Sequence, residues 1–198
     1  MSNIINYWKT IEDFLKITDI NIFNSLSKPA NEDDIKELEN IIKVNLPDSF
    51  KESLLIHNGQ DETENGITFV DSQKLLSINE MCKIYKELCF YFQENKTMEF
   101  MKKPYQCEYL KRNYLYNPKW LKFTKSYLSK LDGLIIDFDP AEKGTAGQIF
   151  FRPESGIPED KIITKSYEIW LERLCMQIEN KEYKIKNGKI IYGSLKII

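Results

Sequence analysis

Apolar residues recur at alternating spacings of four and three at the start of the chain: Ile4, Trp8, Ile11 and Leu15. That spacing puts all four on one face of a helix. A second helix is predicted from Asn31, which can cap it, through Glu32, Asp33 and Asp34, acids that the positive end of a helix dipole favours. Its buried face comprises Ile35, Leu38, Ile41 and Ile42. Leu46-Pro47-Asp48 opens a shorter helix, because a proline near a first turn lacks only an amide that had no partner there. Phe50 and Leu54 share its inner face, and Asn58-Gly59 supplies a stop. Ile67 to Val70 reads as a short strand, and Asn79 as the cap of a long helix carrying Met81, Ile84, Tyr85, Leu88 and Phe92.

Between Gln93 and Pro118 the pattern weakens, which points to an insert that is partly helical. Trp120–Phe123, Leu134–Phe138 and Gln148–Phe151 then read as strands, the last two joined by a connection rich in turn residues from Asp139 to Gly147. Thr164 or Ser166 starts a final helix with Trp170, Leu171, Leu174 and Ile178 on its apolar stripe. Two short strands around Asn187-Gly188 form a hairpin, since Asn-Gly supplies the positive φ angles of a type I′ turn. Helices first, strands in the middle, then a helix and a hairpin predict an α+β fold rather than a βαβ alternation. We expect a single domain over residues 1–198.

Composition narrows the function classes. The 198 residues carry a formal net charge of −2, which disfavours nucleic-acid binding by the chain as a whole. No apolar run approaches the roughly 20 residues of a transmembrane helix, and no leader pattern is visible, so we expect a cytoplasmic protein with no membrane partner. Cys82, Cys89, Cys107 and Cys175 form no C-x-x-C pair and read as reduced thiols.

Charge is distributed unevenly. From Asn31 to Asn65, ten acids face three lysines, a balance of −7. From Lys96 to Lys130, nine bases face two acids, a balance of +7. Solvated faces are the plain reading of both. The sharper readings are an acidic face for a basic protein, built from Glu32, Asp33, Asp34, Glu37, Asp61, Glu62 and Glu64, or a basic aromatic patch for nucleic acid.

Candidate chemistry is sparse. His57 is the one histidine, so a multi-histidine metal site is excluded. It falls where a helix should end, a place that suits an imidazole without catalysis. No phosphate-binding glycine loop is present. Asp137 and Asp139 are the most enzyme-like pair, since two carboxylates at i and i+2 can hold a hard cation. A calcium loop would need further acids where Ala141 and Gln148 stand, so the preferred reading is a turn that Asp139 caps at Pro140. We therefore expect no enzyme activity, no catalytic residue, no metal and no cofactor.

Two segments resemble a known family. Leu46-Pro47-Asp48-Ser49-Phe50, with Leu54-Leu55 and Asn58-Gly59, is similar to a helix motif of the SUKH superfamily, which includes the Smi/Knr regulators. Asp137, Asp139, Pro140, Gly144, Gly147 and Gln148 are similar to its strand–turn–strand motif. Leu75 to Glu80 and Trp120 fall where that family has a short leucine stretch and a tryptophan. The resemblance implies a mixed, largely antiparallel sheet flanked by helices, with the insert at about 93–118, and no catalytic activity. It also implies a protein partner. One such role is immunity, by binding a basic toxin such as a nuclease. The other is a scaffold in cell-wall glucan synthesis.

Overall fold

The structure is a computed structural model that describes residues 3–61, 68–71, 73–94, 108–111, 116–126, 132–153, 162–186 and 189–192. Among these residues the chain begins with α1 (Ile4–Thr18), which buries the four predicted residues Ile4, Trp8, Ile11 and Leu15. A short helix absent from the sequence reading follows, α2 (Ile20–Ser25), whose first amides are held by the Asp19 side chain. Asn31 caps α3 (Glu32–Ile42) as expected, accepting the Asp34 amide at 2.7 Å. Next come α4 (Asp48–Leu54) and the short strand β1 (Gln73–Leu75).

The strand expected at Ile67–Val70 does not form among its described residues. Val70 and Gln73 instead bond each other across a tight reversal, with Asp71 at a φ of 44°. The long helix α5 (Ile78–Glu94) is capped two residues earlier than the sequence implied. Ser77, not Asn79, starts it: the Ser77 hydroxyl accepts the Glu80 amide, and the Glu80 carboxylate accepts the Ser77 amide at 2.9 Å. Asn58, read as a helix stop, also serves this start, because its side-chain oxygen accepts the Ile78 amide at 2.8 Å. α4 itself ends earlier, at Leu54.

The strands follow: β2 (Trp120–Lys122), β3 (Thr124–Ser126), β4 (Gly133–Asp137), β5 (Gln148–Arg152) and β6 (Ile162–Thr164). Then come α6 (Tyr167–Glu179), capped by Ser166, and the hairpin β7 (Tyr183–Lys186) and β8 (Lys189–Tyr192). The Asn187-Gly188 connection lies outside the described residues. The sheet order is β2-β4-β5-β6, with β3 pairing β1 separately. Every described strand pair is antiparallel, in line with the expected α+β fold and its largely antiparallel sheet. The predicted strand from Trp120 is in fact a run that serves two sheets. It changes partner at Phe123, whose amide donates to Leu134 and whose carbonyl accepts from Leu76.

The edge strand β2 and the central strand β4 are buried throughout, because both faces of the sheet are covered. Leu121, Leu134, Ile136 and Ile149 face a core shared with α1, α3, α4 and α6. Trp120, Ile135, Phe150 and Ile162 face a second cluster with Leu88, Leu110 and Tyr116. Polar ties knit the first core: the Trp8 indole donates to the Ser53 hydroxyl at 2.8 Å, and Ser53 bonds the Tyr167 hydroxyl at 2.8 Å. The hairpin docks through buried Ile190 and Tyr192 and through the Tyr192 amide, which donates to Asp71. Among the described residues no helix is long and apolar enough to cross a membrane.

Candidate functional site

Trp120, Asp137 and Gln148 stand directly opposite one another on β2, β4 and β5, forming one row across three strands. Their side chains therefore meet on the same face of the sheet. Asp137 is fully buried. One of its oxygens accepts from the Trp120 indole at 3.0 Å and from the Asp139 amide at 2.9 Å. The other accepts from the Gln148 amide group at 2.9 Å. Burial pushes the Asp137 carboxyl above the usual carboxylate range, against the pull of the donors Gln148, Asp139 and Trp120.

The turn was expected to be capped by Asp139. Asp137 caps it instead, and Asp139 points outward. The Lys111 ammonium bonded to Asp139 holds that carboxyl below its ordinary value, and Asn117 adds a hydrogen bond at 3.2 Å. The two acids thus turn to different partners and do not converge on a common point. Among the described residues no group of three or more His, Cys, Asp or Glu side chains is placed to hold a metal.

The Asp139–Gly147 turn carries the end of the insert. The Tyr109 carbonyl accepts from Gln148 at 2.8 Å and from the Ala141 amide at 3.1 Å, and Leu110 bridges to Pro140. Gly144 is required by this approach: a Cβ there would lie 2.5 Å from the Tyr109 oxygen. Gly147 donates its amide to the Asp137 carbonyl at 2.7 Å, and a Cβ there would lie 3.9 Å from the Pro47 ring. The Lys119 ammonium also donates to the Lys43 carbonyl at 2.6 Å, at the end of α3. The two segments singled out in the sequence, around Leu46-Pro47 and around Gly147, are therefore neighbours. Leu46 is buried in the first core.

Asn58-Gly59 lies further off, packed against the start of α5. His57 is not in a helix, contrary to the sequence reading. It follows α4 and bridges the Ser27 carbonyl at 3.0 Å and the Glu12 carboxylate at 3.1 Å. The described members of the basic segment are engaged within the chain. Lys111 pairs with Asp139, Lys119 with a carbonyl and Lys125 with Glu80, while Lys122 is buried. That disposition works against a basic patch for nucleic acid. Lys96, Lys102, Lys103, Arg112 and Lys130 lie outside the described residues.

The acidic face divides. Glu32, Asp33, Asp34 and Glu37 all project from α3. Asp61 is set apart by a hydrogen bond from the Ser27 hydroxyl. Glu62 and Glu64 lie outside the described residues. Beside α3 runs an open groove of about 370 Å³ that the sequence reading did not anticipate. One wall is Glu32, Ile35, Lys36 and Glu39 of α3; the other is Asp48, Lys51 and Glu52 of α4 with Leu55, its C-cap. Both walls follow the same i, i+3, i+4, i+7 spacing, the one signal in the sequence that could have exposed them.

Comparison with known proteins agrees with these motifs. A cell wall biosynthesis/cell cycle regulator, smi1, of Schizosaccharomyces pombe is 21% identical over 210 aligned residues, covering 94% of this chain and 39% of that protein. The chain therefore spans well under half the length of that relative. The SMI1 / KNR4 family (SUKH-1) matches residues 29–173, a range that begins just before α3 and ends within α6. Both motif segments and the turn that joins them to the insert lie inside it, and the chain belongs to the SMI1 / KNR4 family (SUKH-1).

Proposed function

We propose that this chain is a non-enzymatic protein-binding domain whose partner is a basic protein. The observation that carries this reading is the division of labour among its acids. Asp137, the acid best suited by sequence to chemistry, is enclosed and fully engaged in holding three strands together. The acids of α3 and α4 instead surround an open groove. Acidic surfaces attract basic partners over a Debye length of about 10 Å at 0.1 M salt and speed their encounter.

The first specific role is immunity, in which the domain binds and neutralises a toxin, with a nuclease as the fitting class because nucleases carry basic surfaces. Such a protein acts in the cytoplasm, beside its target. The test is co-purification of the full chain with proteins encoded next to its gene, at low and at high salt. A salt-sensitive complex with a neighbouring toxin is expected, and absence of binding to every such toxin at low salt removes the immunity role. The second role is a regulatory scaffold in cell-wall synthesis, favoured by the name of the relative smi1. Loss of the gene would then alter wall composition in cells that carry no cognate toxin.

A further inference from the structure

Helices α3 and α4 are sequential neighbours but pack on different parts of the molecule: α3 lies on α5, and α4 on α1 and α6. The groove lies between them. We infer that this groove receives an amphipathic helix of a partner protein, one with an apolar stripe flanked by lysines or arginines. The inference rests on the reading of the chain as a protein-binding domain, and it names the form of the partner.

Three observations carry it. The first is length. Each wall runs from i to i+7, about 10 Å of helix axis, which matches two turns of an occupant lying alongside. The second is the apolar strip. Ile35 lies at the base, and Leu55 leaves 40% of its surface exposed at the far end, ready to be covered. The third is charge. Four carboxylates and two ammonium groups line the groove. Lys51 is held by Asp48 at 2.9 Å and reaches Glu39 at 4.0 Å, and Lys36 pairs with Asp33 on the outer side. The balance is negative and suits cationic flanks. An extended strand is disfavoured as occupant, because two helical walls have already paired their backbone groups and offer no ladder.

The experiment is a nitrogen-15 NMR titration of the full chain with a synthetic 18-residue peptide. Its leucines and lysines are patterned on opposite helix faces. A permuted peptide of the same composition, without the pattern, is the control. The patterned peptide is expected to shift amides of α3 and α4 that border the groove and to bind at least tenfold more tightly than the permuted one. Glu32→Lys should weaken it about two- to fivefold, and Leu55→Ser about tenfold. Both side chains are exposed, and a far-ultraviolet circular dichroism spectrum checks that each variant folds. Equal binding of the two peptides, shifts centred elsewhere, or indifference to both substitutions overturns the groove. A natural partner that binds undiminished to both variants also overturns the groove, while the protein-binding reading stands. A patterned peptide that seats in the groove, when no neighbouring gene product binds, supports the groove and counts against the immunity role.

Discussion

Truncating Asp137 would leave the Trp120 indole, one N–H of the Gln148 amide group and the Asp139 amide without their acceptor. Asp137→Ala is expected to cost about 3 kcal/mol, measured by urea denaturation followed through tryptophan fluorescence. Asp137→Asn should lose nearly as much, because its NH2 group would face a donor where the carboxylate offers an acceptor. Glu80 presents the opposite electrostatics. Burial pushes its carboxyl up, but the Lys74 hydrogen bond, the Ser77 amide and the charges of Lys74 and Lys125 outweigh that push and hold it below its ordinary value. Lys74 is itself buried, so removing its counter-charge by Glu80→Gln should destabilise the protein by about 3 kcal/mol at neutral pH. A carboxyl lowered by folding contributes fully above its unfolded value and loses that contribution as the pH falls through the folded one. The stability gap between wild type and Glu80→Gln is therefore expected to hold above pH 4.5 and to shrink below it, as read by denaturant melts across pH.

The junction of α4, β1 and α5 depends on two adjacent residues with different jobs. Asn58→Ala removes the side-chain oxygen at the α5 start and should cost about 1 kcal/mol. Gly59→Ala should cost more, about 2 kcal/mol or above, since Gly59 sits at a φ of 78° and a Cβ would fall 2.5 Å from the Leu76 carbonyl carbon. Thermal melts of the two variants test the ranking, and a milder Gly59→Ala would contradict it. Elements with a full apolar period were readable from the sequence: α1 and α3, and the stripe of α6. So were β2, β4, β5 and the closing hairpin, from apolar runs bounded by turn residues, whereas α2, β1, β3 and β6 were not. α2 is six residues long, while β1 and β6 are three each, too short to show a period. The turn at Asp137–Gln148 was readable as a turn because its glycines and proline are local. Its wider partners Tyr109, Lys111 and Asn117 were not, since they arrive from 20 or more residues away through the tertiary fold. The acids of α3 were readable for the same local reason, whereas the opposing wall from α4 emerges only once the two helices are placed.

Across the whole molecule, the proposed binding of a basic partner at the acidic α3 face predicts an association that is sensitive to salt. Raising ionic strength from 50 to 500 mM is expected to slow association with a basic partner by about tenfold and to alter its dissociation far less, as read by surface plasmon resonance. A slowing confined to dissociation would place the recognition elsewhere than on charge. The run Trp120–Ser126 has a different kind of reach. It holds β4 with its first half and β1 with its second, and Phe123 bonds both sides at once. Neither neighbour can be stripped away without exposing backbone that the other needs. In deuterated solvent, the amides that β1 and β4 bond into this run should therefore exchange together, through one shared opening and at one common rate.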